Sequence, residues 1–167
     1  QNIIRASKNI NSIEQKNINR AKSHERAGLI KEADLIYQQL FKDNPSSREI
    51  FSSYKIFLKK QEKWEELINI SEIYAQNLKK DSYAQLALGD SYLISGEDNK
   101  AYAVFNHLFN EYSTDIKKLK KFLSKLIYNN KIEFAEKKIF IIREKYNHPD
   151  FYAIDLGFAY FSRMAYK

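Results

Sequence analysis

One spacing, about 34 residues and so of the length typical of repeat architectures, recurs along nearly the whole chain. Gly28 and Gly96 lie two such periods apart, as do the pairs Leu88-Gly89 and Leu156-Gly157, Tyr92 and Tyr160, and Ala33 and Ala101, with Ala135 one period further on. Self-similarity at a period of this size implies units that each bury an apolar face only against their neighbours, and hence a solenoid. Unit starts at Glu14, Arg48, Ser82, Ile116 and Asp150 align the chain without an insertion, giving four full units and a half unit. Within the third unit, Gln85, Leu88-Gly89 and Tyr92 form one helical stripe. Ala101, Phe105 and Leu108 form a second, and the turn Ser95-Gly96-Glu97-Asp98 separates the two. This pattern predicts a helical hairpin per unit.

Four Gly and two Pro in 167 residues argue for long helices rather than a turn-rich β fold. The helices are expected at 14–27, 31–43, 47–60, 63–78, 82–95, 98–111, 115–129, 132–146 and 150–164. Residues 1–13 read as an N-terminal helical tail or the end of a preceding repeat, with Ile3, Ala6 and Ile10 on one face, and 14–167 as a single domain.

The arrangement resembles the tetratricopeptide repeat (TPR) family, whose unit carries a Leu-Gly pair, an aromatic, a turn Gly, an Ala, a second aromatic and a closing Pro. The first unit supplies Gly28, Ala33, Tyr37, Leu40 and Pro45, and the third supplies Leu88, Gly89, Tyr92, Gly96, Ala101, Phe105 and Leu108. The fourth keeps Phe122, Leu126, Ala135, Ile139 and Ile142, and the half unit keeps Leu156, Gly157 and Tyr160. The resemblance implies an all-α, right-handed superhelical solenoid of antiparallel helix pairs. The unit at Arg48 departs most, with Lys55 in the small-residue slot, Glu62 in the turn-Gly slot and Leu67 in the Ala slot, so a splayed hairpin is expected there. Trp64 reads as a large anchor opening that unit's second helix.

The resemblance further implies a concave groove lined by the first helix of each unit. In this register it runs from Gln15, Ile18, Lys22, Glu25 and Arg26 through Glu49, Ser52, Ile56 and Lys59. It continues over Tyr83, Leu86, Asp90, Leu93 and Ile94, then Lys117, Lys120, Ser124, Ile127 and Tyr128, and ends at Phe151, Ile154, Phe158 and Phe161. Such a channel suits a peptide or an amphipathic helix with aromatic anchors at one end. The alternative is that the apolar part packs on further repeats. Members of the family that grip a C-terminal carboxylate use groove Asn, Lys and Arg residues; Lys22 stands here where the first Asn would be and no neighbouring Asn matches, so binding of a chaperone tail in that way is not expected.

The fourth unit carries ten basic residues, including Lys117, Lys118, Lys120, Lys121 and Lys125, against Glu133, Glu136 and Glu144, and so accounts for the whole net charge of +7. A local basic patch either steers an acidic protein, an anionic lipid or a nucleic acid, or simply solvates one face. Nucleic acid is the weaker reading, because the aromatics fall in packing slots rather than between the lysines. Without cysteine there is no disulfide or thiolate chemistry. His24, His107 and His148 have no ligand partner at helical spacing, so neither a metal nor a cofactor is expected. Neither a nucleophile elbow nor a phosphate-binding Gly loop is present, and the expectation is a non-catalytic scaffold or assembly factor. No apolar run reaches bilayer length, so transmembrane insertion is not expected. Heavy use of Lys, Asn, Ile and Tyr points to an AT-rich bacterial coding sequence, leaving cytoplasm and periplasm or envelope equally open. Finally, Phe151, Tyr152, Ile154, Leu156, Phe158, Tyr160, Phe161 and Met164 spread apolar surface around one helix, which predicts cover by a second copy, by further units or by a partner.

Overall fold

The computed structural model describes the backbone of residues 2–165 and the side chains of 13–164. Among the described residues the chain is all-α, with nine helices and no strand. They are α1 (Asn2–Arg26), α2 (Ile30–Asp43), α3 (Arg48–Lys60), α4 (Trp64–Asn77), α5 (Ser82–Ile94), α6 (Asp98–Glu111), α7 (Ile116–Tyr128), α8 (Ile132–Tyr146) and α9 (Ala153–Ala165). The period survives in the helix ends. Helices α3, α5 and α7 begin one period apart and end one period apart, as do α2, α4 and α6, and α8 begins one period after α6.

Hydrogen bonds at both ends of the helices explain this regularity. The turn after each first helix places one residue in the left-handed region: Gly28 (φ 77°), Glu62 (φ 54°), Gly96 (φ 81°) and Asn130 (φ 58°). In each turn the following amide donates back over the helix end: Leu29 N to His24 O (2.9 Å), Lys63 N to Leu58 O (3.0 Å), Glu97 N to Tyr92 O (2.8 Å) and Lys131 N to Leu126 O (2.8 Å). This is the Schellman arrangement, which satisfies carbonyls that a helix end would otherwise leave unpaired. At the opposite joint the N-caps recur with the same period. Ser47 accepts from Ile50 N, Asp81 from Tyr83 N and Ala84 N, and Asp115 from Lys118 N.

Glu62 therefore corrects the expectation of an opened second unit at its turn: it adopts the left-handed conformation despite its Cβ, and α3 packs on α4. Such a conformation costs a non-glycine residue about 1 kcal/mol, which the two turn hydrogen bonds offset. Trp64 is the first residue of α4 and is half-buried. The real departure lies at the end of the chain, where α9 starts at Ala153 instead of the expected 150. The N-cap slot there falls on Pro149, which has no side-chain acceptor, and Tyr152 turns to φ 60° before the helix begins. The reading of Ile3, Ala6 and Ile10 as one face lies outside the described side chains, while the backbone runs as one helix from Asn2 to Arg26.

The residues cluster into two compact units, Gln1–Ala84 and Gln85–Lys167. In the first, α1 packs on α2 and α3, α2 on α3, and α3 on α4. Its core is aromatic: Tyr37 stacks on Tyr54 at 5.4 Å between ring centroids, and Phe51 stacks on Tyr74 at 4.0 Å. In the second, α6 packs on α7, α7 on α8, and α8 on α9. Gly89 lies so close to α6 that a Cβ there would stand 3.0 Å from the Phe105 ring, so only glycine admits this approach without displacing the ring. Ala33, Leu67, Ala101 and Ala135, one per period, are completely buried.

Candidate protein-binding surface

The surface residues split into those that hold the fold and those that remain available. In the first compact unit, Ile18 is buried at 1% exposure and belongs to the core instead of the expected groove. Lys22, Glu25, Arg26 and Ile56 line an open cleft of about 290 Å³ together with Tyr37, Ser53 and Lys60. Within it Lys60 Nζ pairs with Glu25 at 2.7 Å, an exposed contact of little energetic weight. Tyr83 is held from two sides, by the Arg48 guanidinium 3.7 Å above its ring and by a hydrogen bond between its hydroxyl and Ser52 Oγ at 3.0 Å. Its half-buried ring is part of the wall.

The first compact unit also holds a polar bridge that no repeat position foreshadows. Asp34 is 7% exposed; Tyr54 donates its hydroxyl to one carboxylate oxygen at 3.0 Å and Lys63 Nζ approaches the other at 2.6 Å. Burial, followed by the Asp34 charge, pushes the Tyr54 phenol well above its ordinary range. The hydrogen bond to Asp34 raises the Lys63 ammonium. An Asp on the otherwise apolar inner side of α2 was the available clue, because such a carboxylate needs partners.

In the second compact unit Asp90 and Leu93, both expected in the groove, are 4% and 5% exposed. Asp90 receives Lys125 Nζ at 3.4 Å and Asn129 Nδ2 at 3.3 Å, so this carboxylate fastens α5 to α7 and is beyond a partner's reach. Leu86, Ile94 and Ile127 are half-buried. Phe151, one of the expected aromatic anchors, is buried too, with its carbonyl accepting from Arg143 Nε at 2.9 Å. The Tyr152 hydroxyl bonds the Lys120 carbonyl (2.9 Å) and Ser124 Oγ (2.8 Å), tying the turn before α9 to α7.

The exposed remainder is ordered along α7. Lys117, Lys120, Lys121, Ser124 and Tyr128 lie on its solvent side, opposite the buried Leu119, Phe122, Leu123 and Leu126, and Tyr128 is 84% exposed. Of the basic patch, Lys118 lies 3.8 Å from the Tyr112 ring centroid and 3.8 Å from Asp115, and Lys125 is committed to Asp90. Lys117 and Lys121 have no ion-pair partner among the described residues. On the other side, Lys131 pairs with Asp98. Lys138 sits half-buried over Phe109 and Phe134, and this loss of hydration lowers its pKa. His24 bonds the Arg20 carbonyl and His148 lies against Phe151, while His107 stands 3.1 Å from the Glu111 carboxylate one turn on, which corrects the expectation that no histidine has a ligand-type partner at helical spacing.

The last exposed group is on α9. Ile154, Phe158, Phe161 and Met164 are 67–77% exposed, whereas Leu156 of the same helix is buried and Tyr160 donates to Glu136 at 2.9 Å. The apolar circumference expected from the sequence thus resolves into an inner side that packs and an outer stripe that does not. Among the described residues, no helix is long and apolar enough to cross a membrane. No protein-family model and no curated protein matches this chain.

Proposed function

We propose that this chain is a tetratricopeptide-like repeat protein, a right-handed solenoid of antiparallel helix pairs, that acts without catalysis as a scaffold or assembly factor in a bacterial complex. Recurrence of helix ends, left-handed turn residues and N-caps at one fixed period supports the repeat reading. The observation that carries the binding role is the outer side of α7, where Lys117, Lys120 and Lys121 lead to the exposed ring of Tyr128. Cations without local carboxylates attract an acidic partner and set its approach, and burial of one such aromatic supplies roughly 1.5–3 kcal/mol. The partner is an acidic protein segment with an apolar residue that covers Tyr128.

The test is charge reversal. Changing Lys117, Lys120 and Lys121 to Glu is expected to slow capture of the cognate partner about tenfold and to flatten its salt dependence. Thermal stability should shift by less than about 0.5 kcal/mol, since exposed charges contribute little to folding. A partner whose association is unchanged by the reversal removes α7 from the interface. The second reading, nucleic-acid binding, rests on the same lysines beside Tyr128 and predicts affinity that falls steeply with salt for any sequence of nucleic acid.

A further inference from the structure

Gly89 and Gly157 occupy the same place in the repeat, two periods apart, and their surroundings differ. On α5, Gly89 is a seat filled by the Phe105 ring of α6, 3.0 Å from where a Cβ would stand. On α9, a Cβ at Gly157 would meet nothing within 4 Å. Around this open seat lie Ile154, Phe158, Phe161 and Met164, exposed by 74%, 67%, 70% and 77%. Their spacing is that of a heptad: Ile154 and Phe161 at a, Gly157 and Met164 at d, and Phe158 beside them at e.

We propose that α9 pairs with the α9 helix of a second copy of this chain, antiparallel, about a two-fold axis near Ala159. Antiparallel pairing sets a positions against d positions, so Phe161 of each copy enters the Gly157 seat of the other and Ile154 meets Met164. Phe158 meets its own equivalent across the axis. Self-complementarity favours a second copy: the seat and the aromatic that fills it, divided between α5 and α6, are here both on one helix, four residues apart. Charge does not oppose the pairing, because Arg163 is turned away to Glu133 and Asp155 lies off the stripe. Side chains of this size cover roughly 500 Å² per copy, or about 1,000 Å² in all, near the lower bound for a specific interface. The dimer is accordingly a weak one, dissociating in the micromolar range. The pairing uses none of the α7 side chains assigned to the partner, and it stands or falls independently of the proposed scaffold role.

Sedimentation of the 167-residue chain across low to high micromolar concentration should show a monomer–dimer equilibrium. Phe161→Ser should weaken it at least about tenfold with an unchanged thermal transition, because the side chain it removes is exposed. Gly157→Leu should do the same by filling the seat. Register is read by cross-linking, since the chain has no native cysteine. An Ile154→Cys chain mixed with a Met164→Cys chain should form the mixed disulfide dimer in preference to either self-linked one. A monomer at every concentration overturns the proposal, as does a dimer indifferent to Phe161→Ser and Gly157→Leu. Preferential self-linking of Ile154→Cys means parallel pairing, and overturns it too.

Discussion

The pairs α3–α4 and α5–α6 have the same lengths, the same turn hydrogen bonds and the same kind of N-cap, yet they distribute bulk in opposite ways. In α6 the small Ala101 precedes the large Phe105 by one helical turn, and Gly89 on α5 makes room for that ring. In α4 the order is reversed, with Leu67 large and Ser71 small, and the position equivalent to Gly89 is Lys55. All four second-helix residues are 0% exposed. Ser71 also satisfies its own hydroxyl by donating to the Leu67 carbonyl at 2.7 Å. The contrast teaches that departures from a repeat pattern are best read in sets. Leu67 and Ser71 move volume by one turn while keeping its total roughly constant, and cores accept such exchanges; with no ring at position 71, the place of Gly89 need not be small and holds Lys55.

The largest difference between the pairs is expected in alkali. Burial pushes Tyr74 of α4 up to about 12, as it does Tyr37 beside Tyr54, whereas Tyr102 of α6 is raised less. A phenol with a raised folded-state pKa ionises first in the unfolded chain, near pH 10, so stability is flat below that and falls as pH climbs toward 12. Hydrogen exchange followed with tyrosinate absorbance should show α2 to α4 opening before α6. If α6 opens first, the assignment of the sensitive tyrosines is wrong.

Next in size is the exchange itself. Leu67→Ala alone should cost about 2–5 kcal/mol through the cavity it leaves, and Ser71→Phe alone about 1–3 kcal/mol through overpacking. Combined with Lys55→Gly, the triple variant should recover at least about 1 kcal/mol relative to the sum of the single changes. Chemical denaturation measures this coupling; strict additivity would mean that the three positions do not compensate one another.

The smallest effect concerns the turns. Glu62→Gly should stabilise by about 0.5–1 kcal/mol, because glycine reaches the left-handed region without a Cβ penalty, and Asn130→Gly by less, since asparagine already tolerates it. Equal gains at both sites would show that the strain at Glu62 is relieved elsewhere.

Helix positions were legible because period, turn residues and caps are local signals, and from α2 onward the observed ends fall within three residues of the expected ones. The start of α9 was not, because Pro149 occupies a cap slot whose failure is visible only against Ser47, Asp81 and Asp115. The candidate surface was half legible. Lys117, Lys120, Tyr128, Ile154, Phe158 and Phe161, all expected in the groove, are exposed. Register could not tell that Asp90 and Leu93 are covered, because their burial depends on Lys125, Asn129 and the other side chains that close over α5. The bridge from Asp34 to Tyr54 and Lys63 joins residues far apart in the chain and leaves no periodic trace.

The recurring turn at Gly28, Glu62, Gly96 and Asn130 also makes the chain divisible. Because residues 62 and 96 close the same pair of backbone hydrogen bonds, joining Gln61 directly to Gly96 would excise one whole period and still leave α3 followed by a complete turn and a full second helix. One period can therefore be removed at a point where the backbone has nothing to relearn, and no helix end needs redesign.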